Sequence, residues 1–112
     1  MPFMGAIALR YVCKSKALLA HARFDTTCAI ELPCVGTVQT MRFYEAACAE
    51  LERSKIDFTL HWGQWNCLTA ERVRRMWGAA ADDWLAARRK LLSAKGRYTF
   101  SNAFLQRCGL AD

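Results

Sequence analysis

The sequence predicts an α+β fold: a small antiparallel or mixed sheet of about three strands, helices on one face, and a helical C-terminal segment. Three observations predict it. Apolar and polar residues alternate with period two in three short stretches, which argues half-buried strands. Between the second and third stretch, apolar residues recur at helical spacing. Beyond Trp65 the chain turns to capping residues and helix formers. The third stretch, Phe58-Thr59-Leu60-His61-Trp62-Gly63-Gln64-Trp65, is expected to be the central strand, ending in a histidine, a glycine and an amide side by side.

The first strand is expected over residues 5–12. Ile7, Leu9 and Tyr11 point one way, and Ala6, Ala8, Arg10 and Val12 the other. Lys14-Ser15-Lys16 reads as a turn, and 17–22 reads equally as a helical turn or a short strand. The second strand, 26–32, places Cys28, Ile30 and Leu32 on one face and Thr27, Ala29 and Glu31 on the other. Pro33 lacks an N–H and ends its pairing. Thr37 is the expected N-cap of a helix with Met41, Tyr44, Ala47, Cys48 and Leu51 as its apolar stripe. Ser54-Lys55 ends that helix, and the third strand follows after a short link.

Thr69 can cap the next helix, whose first turn carries Glu71, favourable to the helix dipole. Val73, Met76 and Trp77 are its apolar positions, and Gly78 fits its end. A further helix is expected from about 80 to 93, acidic at its start (Asp82, Asp83) and basic towards its end (Arg88, Arg89, Lys90). Gly96 is the expected terminator. Residues 97–102 read as extended or turn-like, and 103–108 as a last helical turn. No internal repeat or low-complexity linker divides the 112 residues, so a single domain is expected.

The hydrophobic fraction of 54%, with 12% aromatics, excludes a disordered chain. No run approaches the roughly 18 apolar residues of a membrane span. Met1-Pro2-Phe3-Met4-Gly5 is not a basic start followed by an apolar run, so no secretory leader is expected. The chain enters a strand pattern almost at once, as a piece of something longer would. The net charge of +6 fits an anionic partner or a solvated helix surface. The second reading is favoured, because Arg72, Arg74, Arg75, Arg88, Arg89 and Lys90 lie on expected helices and no nucleic-acid motif accompanies them. The six cysteines form no C-x-x-C pair and no zinc spacing. Reduced thiols and a cytoplasmic location are expected, with Cys28 and Cys48 acting as small apolar residues.

If helices cover the apolar sheet face (Ile7, Leu9, Tyr11, Cys28, Ile30, Leu32, Phe58, Leu60, Trp62), the other face carries Arg10, Glu31, Thr59 and His61. An arginine, a carboxylate and an imidazole on one face make a candidate polar site. Arginine would orient an anionic or hydroxylated group, and histidine would exchange a proton near neutral pH. The plain alternative is a solvated face with weak ion pairs. A Cys67–His61 nucleophile is a weaker candidate.

His61-Trp62-Gly63-Gln64 resembles the H-W-G-K motif near the C-terminus of the FAD-linked sugar-lactone and alditol oxidases, within the vanillyl-alcohol-oxidase-type flavoproteins. Asp83-Trp84-Leu85-Ala86-Ala87-Arg88 resembles their D-x-F-x-x-x-R helix. The stretch from Gly96-Arg97-Tyr98 to Asn102-Ala103-Phe104-Leu105 resembles their closing G-R-F-x-N-P-F-L, and Ala8-Leu9-Arg10 lies where they have E-x-R. The resemblance covers nearly the whole chain, but only the last portion of such an enzyme. It implies a substrate (cap) domain whose sheet faces the flavin, and hydride transfer from a substrate alcohol or sugar lactone to FAD. Arg10, His61 and Gln64 would be the catalytic positions, and His61 and Asn102 the cofactor-binding ones.

The sequence departs from that pattern at three positions. Ala8 stands in place of the glutamate, Gln64 in place of the lysine, and Ala103 in place of the proline. Removing the lysine charge weakens support for a reduced flavin. The 112 residues carry no Gly-rich pyrophosphate loop, so FAD binding would need a flavin-binding domain or subunit as partner. Two alternatives stand beside this reading: an orphan α+β binding or dimerisation module without catalysis, acting as a homo-oligomer, and a basic nucleic-acid-binding domain.

Overall fold

Alternation of side chains makes Ala8–Cys13 and Thr26–Glu31 extended, and they pair as β1 and β2. The computed structural model describes residues 5–111; the leader reading of Met1-Pro2-Phe3-Met4 lies outside them. The pairing is antiparallel, with Leu9 opposite Ile30, Arg10 opposite Ala29 and Tyr11 opposite Cys28. Among the described residues the architecture is α+β, one two-stranded sheet and five helices. The chain divides into two compact units. One takes in the chain up to Lys16 with Ala20–Cys67; the other takes in Ala17–Leu19 with the chain from Leu68 onward.

In the first unit, α1 spans Val38–Arg53 and starts where Thr37 was expected to cap it. The Thr37 hydroxyl oxygen accepts from the Thr40 N–H at 3.2 Å. Thr40 is buried, and its own hydroxyl donates to the Val35 carbonyl at 2.6 Å, so no buried donor is stranded. One turn on, the Tyr44 hydroxyl donates to the Leu32 carbonyl at 2.6 Å and ties α1 to the end of β2. The helix closes in a Schellman pattern: Ile56 N–H bonds the Leu51 carbonyl at 3.0 Å and Lys55 N–H the Glu52 carbonyl at 3.1 Å. Lys55 takes φ 55° there, a position glycine usually fills.

The expected third strand does not join the sheet. Residues 58–61 form no strand, 62–63 turn and 64 bends. One backbone group that a neighbouring strand could have engaged, the His61 carbonyl, is met by a side chain instead. The Asn66 amide donates to the carbonyls of His61 and Gln64, at 3.2 and 3.0 Å. Thr59 donates to the His21 carbonyl at 2.6 Å. Local side-chain bonds of this kind compete directly with ladder formation.

The sheet's exposure also runs opposite to expectation. The face meant for the core is open: Leu9 is 57%, Ile30 60% and Tyr11 72% exposed, with Ile7 and Cys28 exposed beside them. The less exposed face is the one Arg10 and Glu31 share, where Thr27 is buried and Ala8 and Ala29 are half-buried. Residues 14–25 form neither helix nor strand; a loop there is closed by Ser15 N–H on the Ala22 carbonyl at 2.8 Å.

The second unit is helical: α2 (Ala70–Trp77), α3 (Ala79–Leu91), α4 (Ala94–Thr99) and α5 (Ala103–Arg107). Thr69 caps α2, accepting from Arg72 N–H at 3.3 Å. Leu68, Val73, Met76, Trp77, Leu85 and Leu110 are among its buried apolar side chains. Each full burial of this kind contributes about 1.5–3 kcal/mol. Gly78 turns α2 into α3 at φ 53°. The α3 helix ends sooner than expected because Leu92 is extended and Ser93 starts a new helix, its hydroxyl oxygen accepting from Gly96 N–H at 3.1 Å. Gly96, the expected terminator, therefore lies inside α4, and residues expected to be extended are helical through Thr99.

Arg88 is the main correction to the charge reading. It is 6% exposed, not solvated. Its guanidinium donates to the Arg97 carbonyl at 2.9 Å and the Ser101 hydroxyl oxygen at 2.9 Å, fastening the corner between α4 and α5 to α3. Ser101 in turn donates to the Arg97 carbonyl at 2.6 Å.

Candidate functional site

The corner after Leu60 is where the expected site residues come closest to forming a group. His61 is exposed, and its Nδ1 accepts from the Gly63 N–H at 3.1 Å. A neutral His61 therefore carries its proton on Nε2. Gly63 permits this fold-back, since a Cβ at that position would stand 3.3 Å from the His61 Cε1. The His21 ring lies beside it, centroids 5.1 Å apart and tilted by 49°. Two exposed imidazoles thus share the corner.

Asn66 holds the corner from beneath. It is buried, and one amide nitrogen bridges the carbonyls of His61 and Gln64. Sequence reasoning passed over Asn66 and gave His21 no role. The one signal was an asparagine placed two residues after Gln64, a residue type that bonds nearby backbone in turns. His21 carried no signal, because the two histidines lie forty positions apart in the chain.

The other expected site residues are placed elsewhere. Arg10 sits on β1, its guanidinium 3.2 Å from Glu31 on β2, with both side chains more than half exposed. An exposed pair of this kind is screened and contributes about 0–1 kcal/mol. Asn102 belongs to the second unit, where its Oδ1 accepts from Leu105 N–H at 2.9 Å and caps α5. Cys67 is buried against Cys48, with the sulfurs 3.1 Å apart. Of the four residues tied to the flavin resemblance, His61 and Gln64 share a corner, while Arg10 and Asn102 are occupied by local bonds. The six glycines lie singly along the chain, so no row of glycine amides accompanies them to cradle a pyrophosphate.

One further feature is a shallow apolar groove of about 350 Å³ in the second unit, lined by Trp84, Leu91, Leu92, Phe100 and Leu105, with Arg88 in its wall. Among the described residues, no group of three or more His, Cys, Asp or Glu gathers to hold a metal. No described helix is long and apolar enough to cross a membrane. In the first unit, the Cys34 side chain bonded to the Tyr44 hydroxyl, then burial and the thiolate charge, push Tyr44 up to about 12. In the second, burial raises the Cys108 thiol, with Arg107 opposing it.

No protein-family description, no curated protein and no solved structure matches the chain.

Proposed function

We propose that this chain is an association module without catalysis of its own, and that a second copy covers its hairpin face. The observation that carries this reading is the exposed row of Leu9, Tyr11 and Ile30 on a sheet of only two strands. A two-stranded sheet is marginal by itself and gains stability from packing one face. Contiguous apolar surface left open on a soluble domain marks an interaction site. The paired residues on that face (Leu9, Tyr11, Cys13, Thr26, Cys28 and Ile30) include no charge. Two copies can meet there in an isologous contact without opposing charges, whereas a net +6 disfavours approach through the basic helical surfaces.

Sedimentation velocity over a concentration series tests it. The expected result is a concentration-dependent dimer, converted to monomer by Tyr11→Lys or Ile30→Lys with the helical circular dichroism unchanged. A wild-type chain that stays monomeric up to its solubility limit overturns it.

A second reading is supported by the His61-Trp62-Gly63-Gln64 corner and its exposed imidazole. The chain would be the C-terminal substrate-domain portion of an FAD-dependent oxidoreductase acting on an alcohol or sugar lactone. The sheet face that carries Arg10 would then look towards a flavin-binding domain or subunit. FAD, if bound by that partner, would supply the hydride acceptor; Arg10 would orient the substrate, and His61 and Gln64 would lie near the reacting centre. Adding FAD to the purified chain, filtering, and recording the visible spectrum tests whether the chain or its oligomer holds flavin. A retained flavin spectrum favours this reading over the first. A colourless dimer favours the first.

A further inference from the structure

Two of the six cysteines are placed together. Cys48 is on α1, Cys67 lies just ahead of α2, and 19 positions separate them in sequence. Their sulfurs are 3.1 Å apart, about one ångström beyond the ~2.05 Å of a bonded pair. Both are buried, at 5% and 6% exposure. The remaining cysteines differ. Cys13 and Cys28 are exposed, Cys34 is half-buried, and Cys108 belongs to the second unit. The two sulfurs are not half of a metal centre either, because no third ligand joins them among the described residues.

We propose that Cys48 and Cys67 form a disulfide, and that this crosslink ties the segment carrying His61 back to α1. The segment at 58–66 has no strand partner and is held by side-chain bonds from Thr59 and Asn66. Its near end leaves α1 through the Lys55 turn; its far end is Cys67. A bond from Cys67 back to α1 closes this segment and the last turns of the helix into one covalent loop. Restricting the unfolded chain in this way stabilises the folded one.

The chemistry balances with a small-molecule disulfide as oxidant. The thiolate of one cysteine attacks a sulfur of the reagent, forming a mixed disulfide and expelling one thiolate. The second cysteine attacks the protein-side sulfur and expels the other. The protein loses two electrons and two protons, and the reagent leaves as two thiols. Because both sulfurs are buried, the first attack takes place when the segment at 58–67 opens locally or before it has closed during folding. In the structure all six cysteines are free thiols, as expected, and the proposal concerns this pair once an oxidant reaches it.

Oxidised glutathione tests the proposal on the full chain purified under reducing conditions. After oxidation, unreacted thiols are alkylated in denaturant and the chain is cut with trypsin, which leaves Cys48 alone in peptide 43–53 and Cys67 alone in peptide 56–72. The expected product is those two peptides joined and lighter than their sum by two hydrogens. Their two cysteines escape alkylation, and Tm rises by about 10 °C, reversibly with reductant. Cys67→Ser removes both effects. To separate loss of the crosslink from the cost of a buried serine, a second variant removes only Cys13, Cys28 and Cys34, each to serine, and the 43–53/56–72 product must still form. Alkylation of both peptides, glutathione retained on either, a different partner for Cys67, or an unchanged Tm would each overturn the proposal.

Discussion

Leu9 lies directly opposite Ile30 across the hairpin, and both are more than half exposed, on the side of the sheet that carries no charge. A cross-strand pair of this kind ordinarily anchors a core face. Here it is anchored to nothing within the first unit, so its contribution to stability depends on what covers it. Ile30→Thr should shift the monomer's stability by no more than about 0.5 kcal/mol, as expected of a surface substitution. If the face is covered by a second copy, the wild-type Tm climbs with protein concentration and the Ile30→Thr Tm does not. Thermal melts of both at low and high concentration separate the two cases. Equal slopes would remove the hairpin face from the interface.

Arg88 makes the opposite prediction. Its guanidinium is the donor that the Arg97 carbonyl and the Ser101 hydroxyl share, and its surroundings are apolar. Arg88→Met should destabilise the second unit by about 3 kcal/mol, since the acceptors it served are left without their charged donor. Arg88→Lys should recover little of this, because both bonds leave one terminal guanidinium nitrogen, Nη2, and the shorter lysine does not carry its ammonium to that position. Urea denaturation of the three proteins gives the comparison. A loss under about 1 kcal/mol for Arg88→Met would mean that water replaces the guanidinium.

These two residues also mark what the sequence can and cannot disclose. Helix starts were legible at Thr37 and Thr69 because a cap acts on an N–H three residues ahead, so its whole mechanism lies within one turn of chain. The two paired strands were legible for a similar reason, alternation being local. What alternation cannot say is which side of a strand finds a cover. The sheet buries small residues, Thr27 and in part Ala29, and leaves its large apolar ones open. The pattern at 58–62 was strand-like, but a strand needs a partner edge, and Asn66 took up the His61 carbonyl that a ladder could have engaged. Arg88 read as one more charge in a basic helix end, because its partners lie in the following helices. Of the candidate site, the nearness of His61 and Gln64 was legible from their adjacency, while the contribution of His21 rests on a contact that no local signal encodes.

Gly109 and Gly78 both adopt positive φ, at 67° and 53°, yet they should not tolerate alanine equally. At Gly78, with ψ −129°, an added Cβ meets only the Arg74 carbonyl, at 3.9 Å, so the cost is the backbone conformation alone, about 1–3 kcal/mol. At Gly109 the Cβ would stand 2.8 Å from the Ala70 Cβ at the start of α2. Gly109→Ala should therefore lose about 2–4 kcal/mol. Ala70→Gly added to it should return part of that loss, leaving the conformational cost. Equal destabilisation by the two single variants, or no recovery in the double one, would assign the whole effect to backbone strain.

Tyr44 gives the first unit a stability that falls in alkali. Its hydroxyl donates to the Leu32 carbonyl, and its ring stacks on Trp65, with centroids 5.2 Å apart. In the unfolded chain the phenol ionises near 10; in the folded one the Cys34 side chain, followed by burial, moves it to about 12. The folded state thus holds the proton more tightly. The stabilisation is complete below pH ~10 and is lost as pH rises towards ~12, because the unfolded state releases its proton first. Tyr44→Phe keeps the ring and removes the donor. It should cost about 1 kcal/mol at neutral pH. Its denaturation midpoint should also fall less than that of the wild type between pH 10 and 12, a window referred to ordinary tyrosine ionisation and the raised value. Denaturant titrations of both proteins at neutral and alkaline pH decide it. Parallel alkaline losses would place the titrating group elsewhere, and the Tyr44–Leu32 bond would then be a tether without pH dependence.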